Sequence, residues 1–226
     1  MKGLVFVHIP KCGGTSFAVA LKKTFGNEVY RDLSFRKDRN NGIIQLTDRS
    51  ERNYPYRFDP DRFSILMGHF TVNKYLKLRR PVVTFLRDPV ERIISYYSVW
   101  KTTRRYHPMN EDKNIFWFAE RCKNVMWQMT DGNLDLFDFV GITERHEESM
   151  KLMENKLGIR FVITKIKRNK TPEGRKLNFS GRTYRILEEM NQMDRVIYNK
   201  ALERFEEEKL NDRCNNHRLS QERIAV

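Results

Sequence analysis

The sequence predicts an α/β fold in three layers, a parallel β-sheet flanked by helices. Three observations predict it. Leu4-Val5-Phe6-Val7 is an unbroken apolar run of strand length that ends in a glycine turn and opens a helical pattern. Val82-Val83-Thr84-Phe85-Leu86 repeats that order of events and ends in a helix-start signal. Elsewhere, short apolar runs alternate with stretches of helical spacing, which is the pattern of βαβ units.

Taken in order, the first strand is expected over Leu4 to Ile9 and its helix over Thr15 to Phe25. Residues 27 to 62 are polar, rich in Arg, Asn and Asp, and read as a long excursion with one short strand and a candidate recognition role. A strand over Phe63 to Met67 runs into Gly68 and His69. After the strand Val82 to Leu86, Asp88 is a good N-cap, Pro89 suits the first helical position, and Glu91 completes a capping box. Ile93, Ile94, Tyr97 and Trp100 mark the apolar face of that helix. Asn114 to Met129 has helical spacing, with Ile115, Phe118, Ala119, Cys122 and Met126 inward. Phe139 to Ile142 reads as a strand, Glu144 to Lys156 as a helix and Phe161 to Ile166 as a further strand. Thr183 to Leu210 is helical with a break near Asn191, and Ile197, Ala201, Leu202 and Phe205 form its buried stripe. The organisation is one α/β domain over residues 1 to 210 and a polar, fraying tail over 211 to 226. A chain of 226 residues can bury a sizeable core as one unit.

The run His8-Ile9-Pro10-Lys11-Cys12-Gly13-Gly14-Thr15-Ser16 is the most informative segment. Glycines let backbone approach a ligand closely, and the first amides of the next helix have no internal partner. The helix dipole adds positive potential and Lys11 adds a full charge, so this loop is predicted to hold a phosphate or sulfate. It is P-loop-like without being the common nucleotide loop, in which Lys follows the last glycine. The tighter form suits a single phosphate group.

The turn after the second strand offers Arg87, a fork of donors at the strand end, and Ser95, a hydroxyl two turns along the helix. Alone, Arg87 reads as a surface partner of Asp88 or Glu91, and Ser95 as a small residue at a helix contact. Together with the loop they read as a second anion seat.

His69 follows a predicted strand and a glycine that lets the chain bend, and an imidazole titrates near neutrality, which suits a general base. The competing reading is a satisfied histidine at a strand end. His8 is expected to support the loop, His107 to lie in a polar segment, His146 to be solvated at a charged helix start, and His217 to sit in the tail. No pair has metal-site spacing. Cys12, Cys122 and Cys214 are odd in number and far apart, without a zinc or disulfide pattern. Cys12 reads as a tolerated small residue of the loop, not as a nucleophile.

The net charge is +14. Residues 74–105 hold nine Lys/Arg against two acids, and residues 165–185 eight against one, so these two segments carry the whole excess. The charge gathers around the Arg87 turn and a late loop. It exceeds what one small anion needs, which suggests an acidic carbohydrate or steering of anions into a cleft; a generally basic, solubilising surface is the alternative. Nucleic acid is not favoured, because no aromatic-rich binding motif accompanies the charge.

The motif pair His-Ile-Pro-Lys-x-Gly-Gly-Thr-Ser and Arg-Asp-Pro-x-x-Arg-x-x-Ser-x-Tyr resembles the sulfotransferases that use 3′-phosphoadenosine 5′-phosphosulfate (PAPS). The branch it resembles contains heparan sulfate 2-O-sulfotransferase and small bacterial relatives. Met67-Gly68-His69-Phe70, Phe139-Val140-Gly141-Ile142-Thr143-Glu144 and the basic loop Lys165 to Lys176 fit that branch. The resemblance covers about residues 3 to 205 and is weak over 30 to 60.

The resemblance implies that Lys11, Cys12, Gly13, Gly14, Thr15 and Ser16 hold the 5′ end of the donor. It implies that Arg87 and Ser95 hold the 3′-phosphate, with Lys170 or Arg168 of the late loop reaching the same group. Thr143 and its neighbours would border the adenine. Sulfuryl transfer needs a base for the acceptor proton, here His69, and a cation for charge growing on the bridging oxygen, here Lys11. It calls for little metal help, because the sulfonate carries less charge than a phosphoryl group. The expected product is adenosine 3′,5′-bisphosphate, and the expected acceptor is a hydroxyl, on a carbohydrate above a small alcohol or phenol.

Two other readings stand beside this one. One is a metal-dependent nucleotide or small-molecule kinase with an atypical phosphate loop, which would use Asp88 for magnesium. The other is a non-catalytic binder of acidic glycans. With no signal-peptide pattern and no apolar run near the ~18 residues of a membrane span, a complete chain reads as cytoplasmic. A trimmed form of an anchored Golgi-lumen enzyme is the alternative.

Overall fold

The structure is a computed structural model that describes residues 3–32, 36–37, 43–45, 59–102, 112–162 and 177–224, of which 36–37, 44–45 and 215–224 are described by their backbone alone. Its centre is a five-stranded sheet of β1 (Leu4–Val7), β2 (Val29–Asp32), β5 (Ile65–Gly68), β6 (Val82–Leu86) and β7 (Phe139–Ile142), in the order β2-β5-β1-β6-β7. Every pairing is parallel, with Val7 opposite Gly68 and Thr84, and Leu86 opposite Ile142. The sequence reason is plain: β1, β5, β6 and β7 are buried at every position, as unbroken apolar runs require when both sheet faces are covered. A small antiparallel ladder, β3 (Arg36–Lys37) with β4 (Ile44–Gln45), lies in the polar excursion.

Among the described residues seven helices flank the sheet: α1 (Gly14–Phe25), α2 (Pro89–Thr102), α3 (Ile115–Glu120), α4 (Val125–Thr130), α5 (His146–Leu157), α6 (Gly181–Met190) and α7 (Gln192–Ile224). The main core joins β1, β5, β6 and β7 to Phe17 and Leu21 of α1, Met150 and Met153 of α5, and Ile197, Ala201 and Phe205 of α7. A second cluster joins α2, α3 and α6 through Ile93, Tyr97, Trp100, Phe118 and Leu187. Arg92 of α2, fully buried, ties these layers: it donates to the Cys122 carbonyl at 2.7 Å and pairs with buried Asp194 of α7 at 3.3 Å. No helix among the described residues is long and apolar enough to cross a membrane.

Several expectations are corrected. The first strand stops at Val7; His8 N–H still donates to the Gly68 carbonyl at 2.8 Å, and the chain turns away at Pro10. The strand predicted over Phe63 to Met67 is shifted to Ile65–Gly68. The helix predicted over 114–129 is two helices, broken where Asn124 adopts φ 52°, a left-handed conformation that Asn tolerates better than most residues. Glu144 lies in a 3₁₀ turn (Thr143–Arg145), and the helix starts at His146. Phe161 and Val162 form no strand; their N–H groups donate to the Glu154 carboxylate and the Thr24 hydroxyl. The remainder of that expected strand lies outside the described residues. The tail expected to fray from Asn211 continues α7 to Ile224. The break at Asn191 is where the sequence placed it, and Leu202 of the α7 stripe is half-buried, not buried.

Candidate active site

Because all five strands run parallel, their C-terminal ends meet at one edge. The chain leaves β1 toward β2 on one side, and later crosses from β5 over β1 to β6 on the other. The resulting switch point between β1 and β6 is where open α/β sheets bind ligands. The loop 8–14 follows β1, His69 follows β5, Arg87 follows β6 and Thr143 follows β7.

The loop after β1 is shaped by two left-handed residues, Lys11 at φ 69° and Gly13 at φ 72°. Alternation of this kind turns successive N–H groups to one side, as in anion nests. Gly13 caps α1 without any side-chain hydrogen bond, and no acidic residue lies in the first turn. The N–H groups of Gly13, Gly14 and Thr15 find no acceptor among the described residues, while Ser16 N–H donates to the Gly13 carbonyl at 3.1 Å. A Cβ at Gly14 would lie 2.3 Å from the His8 ring, so this position admits only glycine. Thr15 is exposed and Ser16 half-buried.

Cys12 turns inward, in keeping with a small residue that the loop tolerates. Its side chain is fully buried in the core, its thiol is pushed up to about 12 by burial, and its N–H donates to the Ile9 carbonyl at 3.4 Å. The thiol therefore faces away from the loop's open side. Lys11 is held below the ordinary lysine range, first by burial and then by the Arg87 guanidinium. Two cations thus share the loop mouth, an arrangement that favours an anion between them.

His69 is buried, and its Nδ1–H donates to the His8 carbonyl. That bond fixes the tautomer with the proton on Nδ1, which makes Nε2 the proton-accepting nitrogen. The two rings are 4.6 Å apart. His8 is also stacked on Phe6 at 5.3 Å and is held well below the ordinary imidazole range by burial, then by His69 and Arg31. It supports the loop by filling the space under Gly14.

After β6, Arg87 donates through Nη1 to the Lys11 carbonyl at 3.4 Å, its Nη2 lies 3.6 Å from Glu91 and its Nε 3.9 Å from Glu144, long contacts that leave the fork only loosely engaged. Arg87, Glu91 and Ser95 follow one helix face at i, i+4 and i+8. The hydroxyls of Ser98 and Thr102 bond carbonyls one turn back, whereas that of half-buried Ser95 has no partner among the described residues. Asp88 accepts from Glu91 N–H at 3.0 Å, the expected cap, but the reciprocal bond comes from Glu144: Asp88 N–H donates to Glu144 Oε1 at 3.0 Å. Asp88 Oδ2 accepts from Arg195 at 2.7 Å, so this carboxylate is spent on structure and ill suited to magnesium. Tyr198 donates to Glu144 at 3.1 Å and completes the network.

Sequence reasoning missed the capping role of Glu144 and missed Arg195 and Tyr198 altogether; Glu144 and Arg195 meet Asp88, and Tyr198 meets Glu144, only through tertiary packing. It also placed His146 in solvent. The ring instead stacks on Phe85 at 5.0 Å beside Gly13, and its Nε2 is buried. Thr143 donates to the Leu86 carbonyl at 2.8 Å and touches the same glycine. Arg168 and Lys170, as well as His107, lie outside the described residues.

The loop's open amides, its glycine-only contour and its paired cations fit a phosphate or sulfate group, and His69 fits a base at the same edge. Comparison with known proteins agrees with that chemistry. A model of the Sulfotransferase family matches residues 1–210. Heparan sulfate 2-O-sulfotransferase 1 of Cricetulus griseus and of Mus musculus are each 23% identical over 191 residues, and that of Homo sapiens is 23% identical over 190 residues. Each match covers 67% of this chain and 53% of the relative, so the chain spans about half the length of the curated relatives it matches. With its match running from the first strand through most of the last helix, the chain belongs to the sulfotransferase family.

Proposed function

We propose that the protein is a PAPS-dependent O-sulfotransferase that acts on a carbohydrate hydroxyl. The observation that carries this reading is the open N-terminus of α1, whose Gly13, Gly14 and Thr15 amides lack acceptors among the described residues and stand beside two cations at the sheet's switch point. The relatives named above, which act on heparan sulfate, support a carbohydrate acceptor. The net charge of +14 supports an acidic one.

In this reading the loop amides, Lys11 and Ser16 hold the 5′ end of the donor, and Arg87 with Ser95 holds the 3′-phosphate. Arg168 or Lys170 adds a further cation. When bound, PAPS supplies the sulfuryl group and a phosphate that accepts the departing electron pair. His69 takes the proton of the acceptor hydroxyl on Nε2, with its Nδ1–H kept in place by the His8 carbonyl. Lys11 provides positive charge where negative charge grows on the bridging oxygen. The chemistry assigns no metal role, since a singly charged sulfonate needs less neutralisation than a phosphoryl group.

The direct test is transfer of radiolabelled sulfate from PAPS to uronic-acid polysaccharides, neutral oligosaccharides and phenols. Label in a carbohydrate supports the reading. Label only in a phenol or small alcohol would overturn the acceptor class, and no label in any acceptor would overturn the activity.

A further inference from the structure

His146 opens α5 and lies against the loop rather than in solvent. Its ring stacks on Phe85 with an interplanar angle of 16°. A Cβ at Gly13 would come 3.4 Å from its Cδ2, so the imidazole occupies the space beside the loop where a side chain would otherwise stand. Its Nε2 is buried and has no hydrogen-bond partner among the described residues. Buried polar atoms are nearly always paired, so one left over beside an anion seat calls for a reason.

The charges around it supply one. On its own helix Glu147 favours the protonated ring. In the preceding turn, Arg145 is engaged by Glu148 and Glu206, and Glu144 by Asp88 N–H and Tyr198. From β6 it meets the uncharged Phe85, with Arg87 two residues on, and from the loop Gly13, with Lys11 two residues before. Burial, the main influence, keeps the ring neutral, and its place at a helix N-terminus acts the same way. His8, under the other loop glycine, differs: its charged neighbours, His69 and Arg31, both oppose protonation.

We propose that His146 is a proton-linked positioning residue of the anion loop, neutral when the loop is empty and protonated when a phosphate dianion occupies it. The proposal rests on the reading that the loop holds the phosphate end of a nucleotide. A dianion beside the ring favours the imidazolium, whose charge then supports the Gly13 turn from beneath. Protonation raises affinity fully at pH below the ring's ligand-free pKa. The gain fades as pH rises through its ligand-bound pKa.

The test is calorimetry of adenosine 3′,5′-bisphosphate binding near pH 7 in two buffers of different ionisation enthalpy, for the parent, His146→Gln and His146→Phe. Protons taken up by the ligand itself are common to all three and cancel. The parent is expected to take up more protons than either variant and to gain affinity on acidification more steeply, by up to about tenfold per pH unit. Equal uptake in parent and variants would overturn the proposal while leaving the nucleotide site intact. No binding by the parent would overturn the nucleotide reading and the proposal with it. Should both variants fail to fold, histidine ring NMR of the parent decides: the imidazole in contact with Phe85 must titrate at higher pH with ligand than without, and an unmoved midpoint contradicts the proposal.

Discussion

Two strand-to-helix turns stand side by side at the same sheet edge, and they treat their helix N-termini in opposite ways. The α1 start has a left-handed glycine cap, no acidic first-turn residue and three amides without acceptors among the described residues. The α2 start is closed by Asp88, whose carboxylate caps Glu91 N–H and pairs with Arg195, while Glu144 takes the Asp88 N–H. One turn offers its backbone to a ligand. The other ties its Asp88 and Glu91 amides to carboxylates and presents side chains, Arg87 and Ser95. The difference teaches that a helix N-terminus becomes an anion seat by what the sequence withholds, namely a capping side chain and an acid, as much as by its glycines.

The largest expected effect lies beside the open turn, at His69. His69→Ala is expected to lower turnover by roughly 10²–10⁴-fold while bisphosphate affinity stays near that of the parent; a loss confined to affinity would remove His69 from base duty. Lys11→Ala, at the open turn, is expected to cost about 10²–10³-fold in turnover, measured at saturating donor. At the closed turn, the expected effect of Asp88→Ala is on stability, about 1 kcal/mol or somewhat more in denaturant melts, since a cap and an ion pair go together. A binding loss far larger than that stability loss would mean that Asp88 serves the ligand. The smallest effect concerns the loop thiol. Cys12 and Cys122, both buried and both pushed up to about 12, should resist iodoacetamide at pH 8, and exposed Cys214 alone should be alkylated; rapid labelling of Cys12 would show that the loop opens.

The parts of the molecule that were legible in sequence are those set by local chemistry. Val82–Leu86 and Phe139–Ile142 were placed to the residue, because an apolar run between turn signals leaves few alternatives. The Asp88 cap and the Asn191 break were equally local. The 114–130 region was not, since Ile115, Phe118, Ala119, Cys122 and Met126 keep helical spacing across the break at Asn124, and a single left-handed residue leaves no periodic trace. The candidate site divides in the same way. Lys11, Gly13, Gly14 and Arg87 announce themselves through motif spacing. Glu144 as the reciprocal cap and His146 against Gly13 depend on how β7 and α5 pack beside β6, which a charged helix start such as Glu144-Arg145-His146-Glu147 does not disclose.

The central claim is that the open turn and Arg87 of the closed turn together hold the two phosphate ends of one nucleotide. The most direct measurement is calorimetric titration of adenosine 3′,5′-bisphosphate, without added metal, into the parent and Arg87→Ala. The account predicts clear binding by the parent that weakens by at least about 2 kcal/mol in the variant, as expected for losing a charge-assisted contact. Unchanged affinity in Arg87→Ala, or no binding by the parent, would contradict it.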